Sequence, residues 1–256
     1  MAFNLNNFVI DRIIRAIGKN KEDEILFAIN QVTNASLNVT SETAEAVDAL
    51  GTPIAIFNRA KSCEFSAENA LFDIELMATQ AGSKKIVASA DSKMLVPSFE
   101  TVEEGELKHT PAEDSEVKLY VLNGDGSIGE KLEISADGAA DGKVGLDGTT
   151  LTGLPEDVNV MAVYEYEAGA EGEGAVAVIN SATEFPKACE LVLEVLGCDV
   201  CNQEELIYAY LVFPNFKISP DFDWSIATDG THPFSGQAMQ NYCDAKKELY
   251  RLIIVE

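Results

Sequence analysis

One stretch, from Gly51 to Gly82, constrains the fold of this chain more than any other. Its first part is an apolar, β-branched run from Pro53 to Asn58, which is typical of a strand. Its second part carries apolar residues at helical spacing, with Ser66 as the expected N-cap and Gly82 as the residue that ends the helix. A helix with so wide an apolar face must pack on a sheet or on a neighbouring subunit. We therefore expect one α-helix, at about 67–81, clamped to an otherwise mainly β chain.

Four other segments carry specific predictions. Apolar residues at helical spacing predict a short amphipathic helix from Phe8 to Ile17. The polar segment Ser41–Leu50 predicts an exposed loop or arm, and the runs Phe222–Ala227 and Leu249–Val255 predict strands. The last of these strands lies near the end of the sequence, so we expect a sheet to hold it.

Composition limits the classes of function. The chain has 256 residues, of which 46% are hydrophobic, so it can bury the core of one large β domain or of a domain with an insertion. Its 43 acidic and 18 basic residues give a formal net charge of −25. A stationary grip on nucleic acid or on an anionic membrane requires a basic face, which this charge argues against. A surface that nucleic acid passes without binding remains compatible with it.

The middle of the chain differs from its flanks. Residues 100–173 hold 19 acidic and 4 basic residues and several Asp/Gly and Asn/Gly turn clusters, such as Asn123–Gly126. Alternating or apolar runs lie between these turns, which predicts a series of hairpins. We expect the main β-sandwich to comprise 1–99 and 174–256. The acidic, hairpin-rich segment 100–173 forms either an inserted lobe or one edge of the main fold.

The sequence predicts synthesis in a reducing cytoplasm. Asn, Asp and Arg interrupt the apolar residues near the N-terminus, so it does not read as a signal peptide. No run reaches the roughly 18 apolar residues of a membrane span, and we expect no membrane partner. The cysteines are sparse and odd in number for a secreted disulfide scaffold; they are Cys63, Cys189, Cys198, Cys201 and Cys243.

Metal sites are not predicted. Cys198 and Cys201 form a C-x-x-C pair, but a zinc site needs two more ligands at matching spacing and a thioredoxin-like pair needs the start of a helix. A hairpin turn with two incidental thiols is the favoured interpretation. An EF-hand loop that started at Asn123 would have Ile134 at its twelfth position, and one that started at Asp137 would have glycine there. Solvated turns explain this segment better than calcium binding.

No catalytic or cofactor-binding residue is predicted, and we expect the protein not to be an enzyme. The sequence lacks a phosphate-binding glycine loop, a nucleophile elbow and a zinc-protease motif. His109 and His232 are its two histidines, and an acid–base pair of Asp229 with His232 is the best candidate they offer. The aromatic residues around Trp224 and Phe213 interleave with prolines, which favours core or subunit-contact roles over a sugar-binding platform.

Three regions carry a resemblance to a known class of proteins. Asp48–Lys61 reads DALGTPIAIFNRAK, and Phe65–Phe72 reads FSAENALF before the predicted helix. Asp229–Val255 combines a turn, an extended run and a final Leu-Ile-Ile-Val strand. In this layout, which covers about the first hundred and the last sixty residues, the chain resembles virion structural proteins of tailed bacteriophages, and among them tail tube proteins.

This resemblance implies a β-sandwich or barrel flanked by one helix, made in the host cytoplasm and built into the virion tail. It implies self-assembly into stacked rings, with six copies to a ring, around an acidic-lined channel that genomic DNA crosses without tight binding. Six copies carry a charge of about −150, which repels phosphates within a Debye length of about 8 Å. The same charge also keeps an aggregation-prone β protein soluble before assembly.

The resemblance further implies contacts with tape measure, terminator and baseplate proteins, and it makes Ser41–Leu50 a candidate arm that is ordered against a neighbouring ring. Two alternatives remain open from the sequence. The first is a capsid-associated protein, such as a head decoration or head–tail connector protein. The second is a carboxylate-dependent enzyme or ligand-binding β-sandwich.

Overall fold

The computed structural model describes residues 7–135, 138–139, 142–169, 174–242 and 246–255, and most of them lie in β-strands. The chain divides into two compact units, the first made of Met1–Lys85 with Val178–Glu256 and the second of Ile86–Ala177. Cys243 and Asp137, which entered the sequence-based predictions, lie outside the described residues.

The described residues of the first unit form one short helix, α1 (Ile74–Ala81), and eight strands. The strands are β1 (Phe8–Lys19), β2 (Ile25–Ile29), β3 (Val32–Val47), β4 (Pro53–Asn69), β14 (Ala188–Asp199), β15 (Asn202–Ile218), β16 (His232–Ala238) and β17 (Arg251–Ile254). They form a single sheet in the order β2-β1-β14-β15-β16-β4-β3, and β17 pairs with β15 beside this path. Each strand of this sheet pairs antiparallel with its neighbours, and the sheet is open rather than closed into a barrel.

One face of this sheet carries an aromatic core. The alternating residues of β2, β4, β15 and β16 place five phenylalanines there, all buried, namely Phe27, Phe65, Phe213, Phe216 and Phe234. The rings of Phe65 and Phe213 lie 5.7 Å apart in a tilted arrangement, which adds to the stabilisation that burial gives. Leu76 of α1 is fully buried in the same cluster, so the helix covers this apolar face as predicted.

The helix is shorter than predicted and begins later than about 67. Its N-cap is Asp73, whose carboxylate accepts a hydrogen bond from the Leu76 N–H, and not Ser66. Ser66 lies within β4 because β4 pairs with β3 on one side and with β16 on the other as far as Asn69. The predicted end is correct, since Gly82 adopts a left-handed conformation with φ of 71° and closes the last turn.

Two other predicted elements are wrong. Phe8–Ile17 is part of strand β1 rather than a helix. Two irregularities in its pairing with β14, between Ile10 and Arg12 and between Ile13 and Arg15, disturb the two-residue alternation that would have identified a strand. Phe222–Ala227 is not a strand but an irregular segment before β16.

The described residues of the second unit form nine shorter strands. They are β5 (Ile86–Val87), β6 (Met94–Thr101), β7 (Lys118–Leu122), β8 (Ile128–Leu132), β9 (Ile134–Ser135), β10 (Val144–Asp147), β11 (Thr150–Thr152), β12 (Asn159–Ala168) and β13 (Val176–Ala177). They form a four-stranded sheet β6-β12-β7-β8, a three-stranded sheet β11-β10-β9 and the pair β13-β5. This unit has its own core, composed of Leu107, Leu119, Val144, Leu151, Val160, Ala162 and Tyr164.

The fold class predicted from the sequence is confirmed: the chain is mainly β with one short helix, and its sheets fit a sandwich-like layout rather than closed barrels. The acidic segment 100–173 lies inside the second unit, and its independence as an inserted lobe stays a prediction.

Candidate assembly surfaces

A long hairpin extends from the sheet of the first unit. β3 and β4 pair with each other from Val32 and Asn69 to Val47 and Pro53. β16 lies beside β4 only over Cys63–Asn69, so the part of β4 before Cys63 pairs with β3 alone among the described residues. At about 3.3 Å per residue, the ten residues from Pro53 to Ser62 extend roughly 33 Å beyond the shared sheet. The segment Ser41–Leu50, predicted as a loop or arm, is thus exposed as expected but is largely a strand.

Both faces of this hairpin are apolar and exposed. Ile56 lies opposite Glu45 and Phe57 lies opposite Ala44, so Ile56 and Phe57 point to opposite faces. They are 61% and 59% exposed, and Leu50 in the turn is also exposed. A hairpin that stays in solvent gains nothing from large apolar side chains, and antiparallel ribbons normally present at least one polar face to water. The hairpin therefore has the composition of an element that is covered on both sides in an assembly.

The opposite face of the large sheet is polar. Ser66 pairs with both Ser36 and Ser235, and Glu64 pairs with both Asn38 and Gln237, so these residues share one face. Together with Lys217 they line an open groove of about 590 Å³. The same face continues onto β14 and β1, where the Arg15–Glu194 and Lys19–Glu190 ion pairs lie.

The four-stranded sheet of the second unit also has an uncovered face. Its inner face carries the buried residues Leu119, Val160, Ala162 and Tyr164. On the outer face, Phe99 of β6 lies beside Val163 of β12, and Leu95 lies beside Glu167. Phe99 and Leu95 are 71% and 56% exposed. Because β6 is the outermost strand of this sheet, both the apolar strip and the strand edge are accessible.

Charge is unevenly distributed between the two units. Residues 86–177 contain 20 acidic and 5 basic residues, a net charge of −15, which leaves −10 for the rest of the chain. The charged side chains are mostly exposed, and their ion pairs, such as Lys93–Glu167, lie at the surface. Such pairs contribute little to folding, so the acidic excess of the second unit is better explained by solubility or by partner selection.

His232, half of the predicted acid–base pair, is a buried core residue. Its Nδ1 accepts a hydrogen bond from the Asp73 N–H at 3.3 Å, and its Nε2 lies 2.9 Å from Gln80 Oε1. The ring stacks on Phe72 at a centroid distance of 5.3 Å. Burial lowers the pKa of His232, and the nearby Asp73 carboxylate opposes that effect. The described hydrogen bonds and ion pairs do not join it to Asp229, which lies exposed in a turn.

The role of His232 is therefore to hold α1 in place rather than to bind a substrate. Gln80 donates its side-chain N–H to the carbonyl oxygen of Pro233, so the helix is tied to β16 at both His232 and Pro233. His109, the other histidine, stacks on Tyr166 at 3.9 Å within the second unit.

The four cysteines that the structure describes form no common site. Cys198 lies at the end of β14 and Cys201 in the tight turn before β15, as expected of a hairpin turn. Cys63 and Cys189 are buried in the core of the first unit, where burial raises the pKa of each thiol, that of Cys189 to about 12. Within the described part of the chain, no group of three or more side chains could hold a metal ion.

The turn considered for calcium is closed by its own hydrogen bonds. The Asp125 carboxylate accepts hydrogen bonds from both the N–H and the hydroxyl group of Ser127, and these bonds lower the pKa of Asp125. No helix in the described residues has the length and apolar character that a membrane span requires.

Comparison with known proteins identifies the class of the chain. The model of the YomU/Tube protein family matches residues 8–251, which is nearly the whole sequence. No curated protein matches the chain. The resemblance to phage tube proteins that the sequence suggested is thereby confirmed.

Proposed function

Because the chain belongs to the YomU/Tube protein family, we propose that it is the structural subunit of a phage tail tube and that it self-assembles into stacked rings of six copies. In this proposal the protein works by forming a wall rather than by catalysis. It is made in the host cytoplasm and resides in the virion tail, where tape measure, terminator and baseplate proteins contact its assembled form.

The observation that carries the proposal is the hairpin with two apolar faces. Burying a large side chain stabilises a contact by about 1.5–3 kcal/mol, and the hairpin exposes Ile54, Ile56 and Phe57 together with Val47 and Leu50. Two-sided burial needs a neighbouring subunit, since the described residues leave both hairpin faces uncovered. The outer strands β2 and β3 supply further unpaired edges that neighbouring copies can complete.

The polar face of the large sheet is the proposed channel lining. Serine, asparagine and glutamine side chains dominate its groove, and Glu64, Glu190 and Glu194 supply negative charge that Lys217, Arg15 and Lys19 offset. A polar lining without a basic excess lets phosphates pass, whereas a basic lining would bind them. In this proposal genomic DNA therefore passes through the channel without binding to its wall.

Electron microscopy of the purified protein over a range of concentrations tests the proposal. We expect stacked rings with a central channel for the wild-type chain and loss of stacking for Ile56→Ser and Phe57→Ser. Leu71→Ser removes an exposed leucine outside the hairpin and should assemble normally. Closed single rings would indicate a connector or capsid role instead. A monomer at all concentrations would contradict self-assembly.

A further inference from the structure

The apolar faces of the hairpin carry a pattern of charge along their length. On the face that holds Ile56, Lys61 lies opposite Ser41 near the base and Glu45 lies opposite Ile56 nearer the turn. Ser41 and Glu45 are four residues apart on β3, so the two charges are separated by roughly 13 Å. Ile56 and Glu45 lie side by side in one row, so from base to turn this face presents a cation and then a carboxylate beside an apolar side chain.

The uncovered face of the second unit carries the opposite order. Along β12, Glu165 is followed at two-residue steps by Val163, which lies beside Phe99, and by Met161, which lies beside Tyr120. Lys131 of β8 lies opposite Tyr120 in the same row.

The spacing on the two surfaces agrees. Glu165 and the row of Met161 are four residues apart on one strand, which is again roughly 13 Å. Lys118 lies beside Val163, in the row between Glu165 and Met161, and Lys118 and Lys131 share one carboxylate, that of Glu116, so the face keeps a positive excess from Val163 to Met161. The face thus presents a carboxylate and then, in the row of Met161, a cation beside the side chains of Met161 and Tyr120.

From these complementary patterns we infer that the Ile56 face of the hairpin of one copy docks on the outer face of the β6-β12-β7-β8 sheet of a second copy. Lys61 then meets Glu165, and in the row about 13 Å farther on Ile56 packs on Met161 and Tyr120 while Glu45 meets Lys131. This inference rests on the proposed self-assembly. Pairing of two identical sheet faces is disfavoured because each second unit carries a net charge of −15.

Charge reversal tests the contact. Lys61→Glu and Glu165→Lys each place like charges together, and each should raise the protein concentration needed for assembly by about tenfold, measured by sedimentation velocity and electron microscopy. Lys84→Glu and Glu184→Lys make the same charge changes at exposed sites outside the two surfaces and should leave assembly unchanged. Thermal unfolding of the exposed-site variants should match that of the wild type.

Mixing the two reversed chains separates contacts between copies from contacts within a copy. In an alternating arrangement, the reversed hairpin meets the reversed face and the native hairpin meets the native face, so an equal mixture should assemble like the wild type. Recovery in a chain that carries both reversals, without recovery in the mixture, would overturn docking between copies. If Ile56→Ser blocks assembly but Glu165→Lys has no effect, the docking face is wrong while the tube proposal survives. A wild-type chain that never assembles overturns both.

Discussion

At the scale of single residues, His232 illustrates how a group that suggests chemistry in a sequence can serve structure. Its two ring nitrogens contact the Asp73 N–H and the Gln80 side chain, and Phe72 covers one face of the ring. The acceptor role of Nδ1 requires a neutral ring, because a protonated imidazole has no lone pair left to accept the Asp73 N–H. The start of α1 is therefore linked to the protonation state of His232.

This linkage predicts an acid-sensitive fold. Since burial lowers the pKa of His232 in the folded state, the unfolded state binds the proton more readily. The contribution of neutral His232 to the free energy of unfolding is fully present above the ordinary histidine pKa of about 6.5. It declines as the pH falls below that value, until the pKa of the folded state is passed. Thermal unfolding between pH 7.5 and 5.5 should show this decline for the wild type and a smaller decline for His232→Gln. His109→Gln is the matched control, and an equal decline in all three proteins would contradict the linkage.

Gly82 supports a second prediction. It has a positive φ of 71°, and a Cβ there would lie 2.4 Å from the Phe185 carbonyl carbon. Gly51 also has a positive φ, 85°, but a Cβ there would contact nothing within 4 Å. Gly51→Ala should cost about 1 kcal/mol from backbone strain alone. Gly82→Ala should cost about 3 kcal/mol because a steric clash adds to that strain. Chemical denaturation measures both, and equal losses would show that Phe185 yields without cost.

At the scale of elements, the strand nearest the C-terminus tests whether β17 is part of the core. Ile254 lies opposite Ala209 and packs against the aromatic cluster, whereas Ile253 lies opposite Tyr210 on the other face. Ile254→Asn should destabilise the first unit by about 2 kcal/mol or more, since it buries an amide in an apolar site. Ile253→Asn should change the free energy of unfolding by less than about 0.5 kcal/mol. Similar effects of the two substitutions would mean that β17 detaches without cost.

The errors in element prediction have identifiable physical causes. In β1, the residues that face the core are Ile13 and Ala16, three positions apart, because a bulge lies between them, and that spacing imitates a helix. In β4, Ser66 looks like a helix cap, but partners on both sides keep it in the sheet. In both cases the pairing of strands that are distant in sequence determines the structure. The local spacing of residues along the sequence does not reveal such pairing.

The candidate surfaces were predictable only in part. The exposure of Ser41–Leu50 followed from its polar composition, and the apolar run from Pro53 followed from its β-branched residues. That these two segments pair into one hairpin with Ile56 and Phe57 on opposite faces depends on register, which a one-residue shift would reverse. The likeness between its charge order and that of the second unit could therefore be recognised only after both registers were known.

At the scale of the whole molecule, the total charge of −25 did not reveal where the charge lies. The second unit holds −15 of it in 92 residues, from Ile86 to Ala177, while the polar face of the large sheet carries carboxylates partly balanced by Arg15 and Lys19. An acidic second unit opposes random association of free subunits, and a specific contact must then overcome the repulsion. Most of the net charge thus lies on residues other than those of the proposed channel lining, which favours the explanation by solubility.

The separate charge and core of the second unit predict that it folds by itself. Its ends are held together, since Val87 pairs with Val176 and Ile86 pairs with Ala177. Its core surrounds Leu119, which is fully buried in a cluster separate from the aromatic cluster of the first unit. An excised fragment of residues 84–179 should therefore give a β-type circular dichroism spectrum and a cooperative thermal transition. Leu119→Ala should lower the stability of this fragment by about 2–5 kcal/mol.

Deleting the second unit tests whether the first unit also folds by itself. If residues 86–177 are replaced by a short glycine–serine linker, the remaining chain keeps the whole eight-stranded sheet and the buried helix contacts of Leu76. The remaining chain should unfold in a cooperative transition of its own. Leu76→Ala should destabilise this remaining chain, and the transition of the excised fragment, which does not contain residue 76, serves as the reference. A fragment or a remnant that unfolds without cooperativity would mean that the two cores depend on one another. Folding of both pieces would instead allow each partner of the proposed docking contact to be purified separately and the contact to be measured between them.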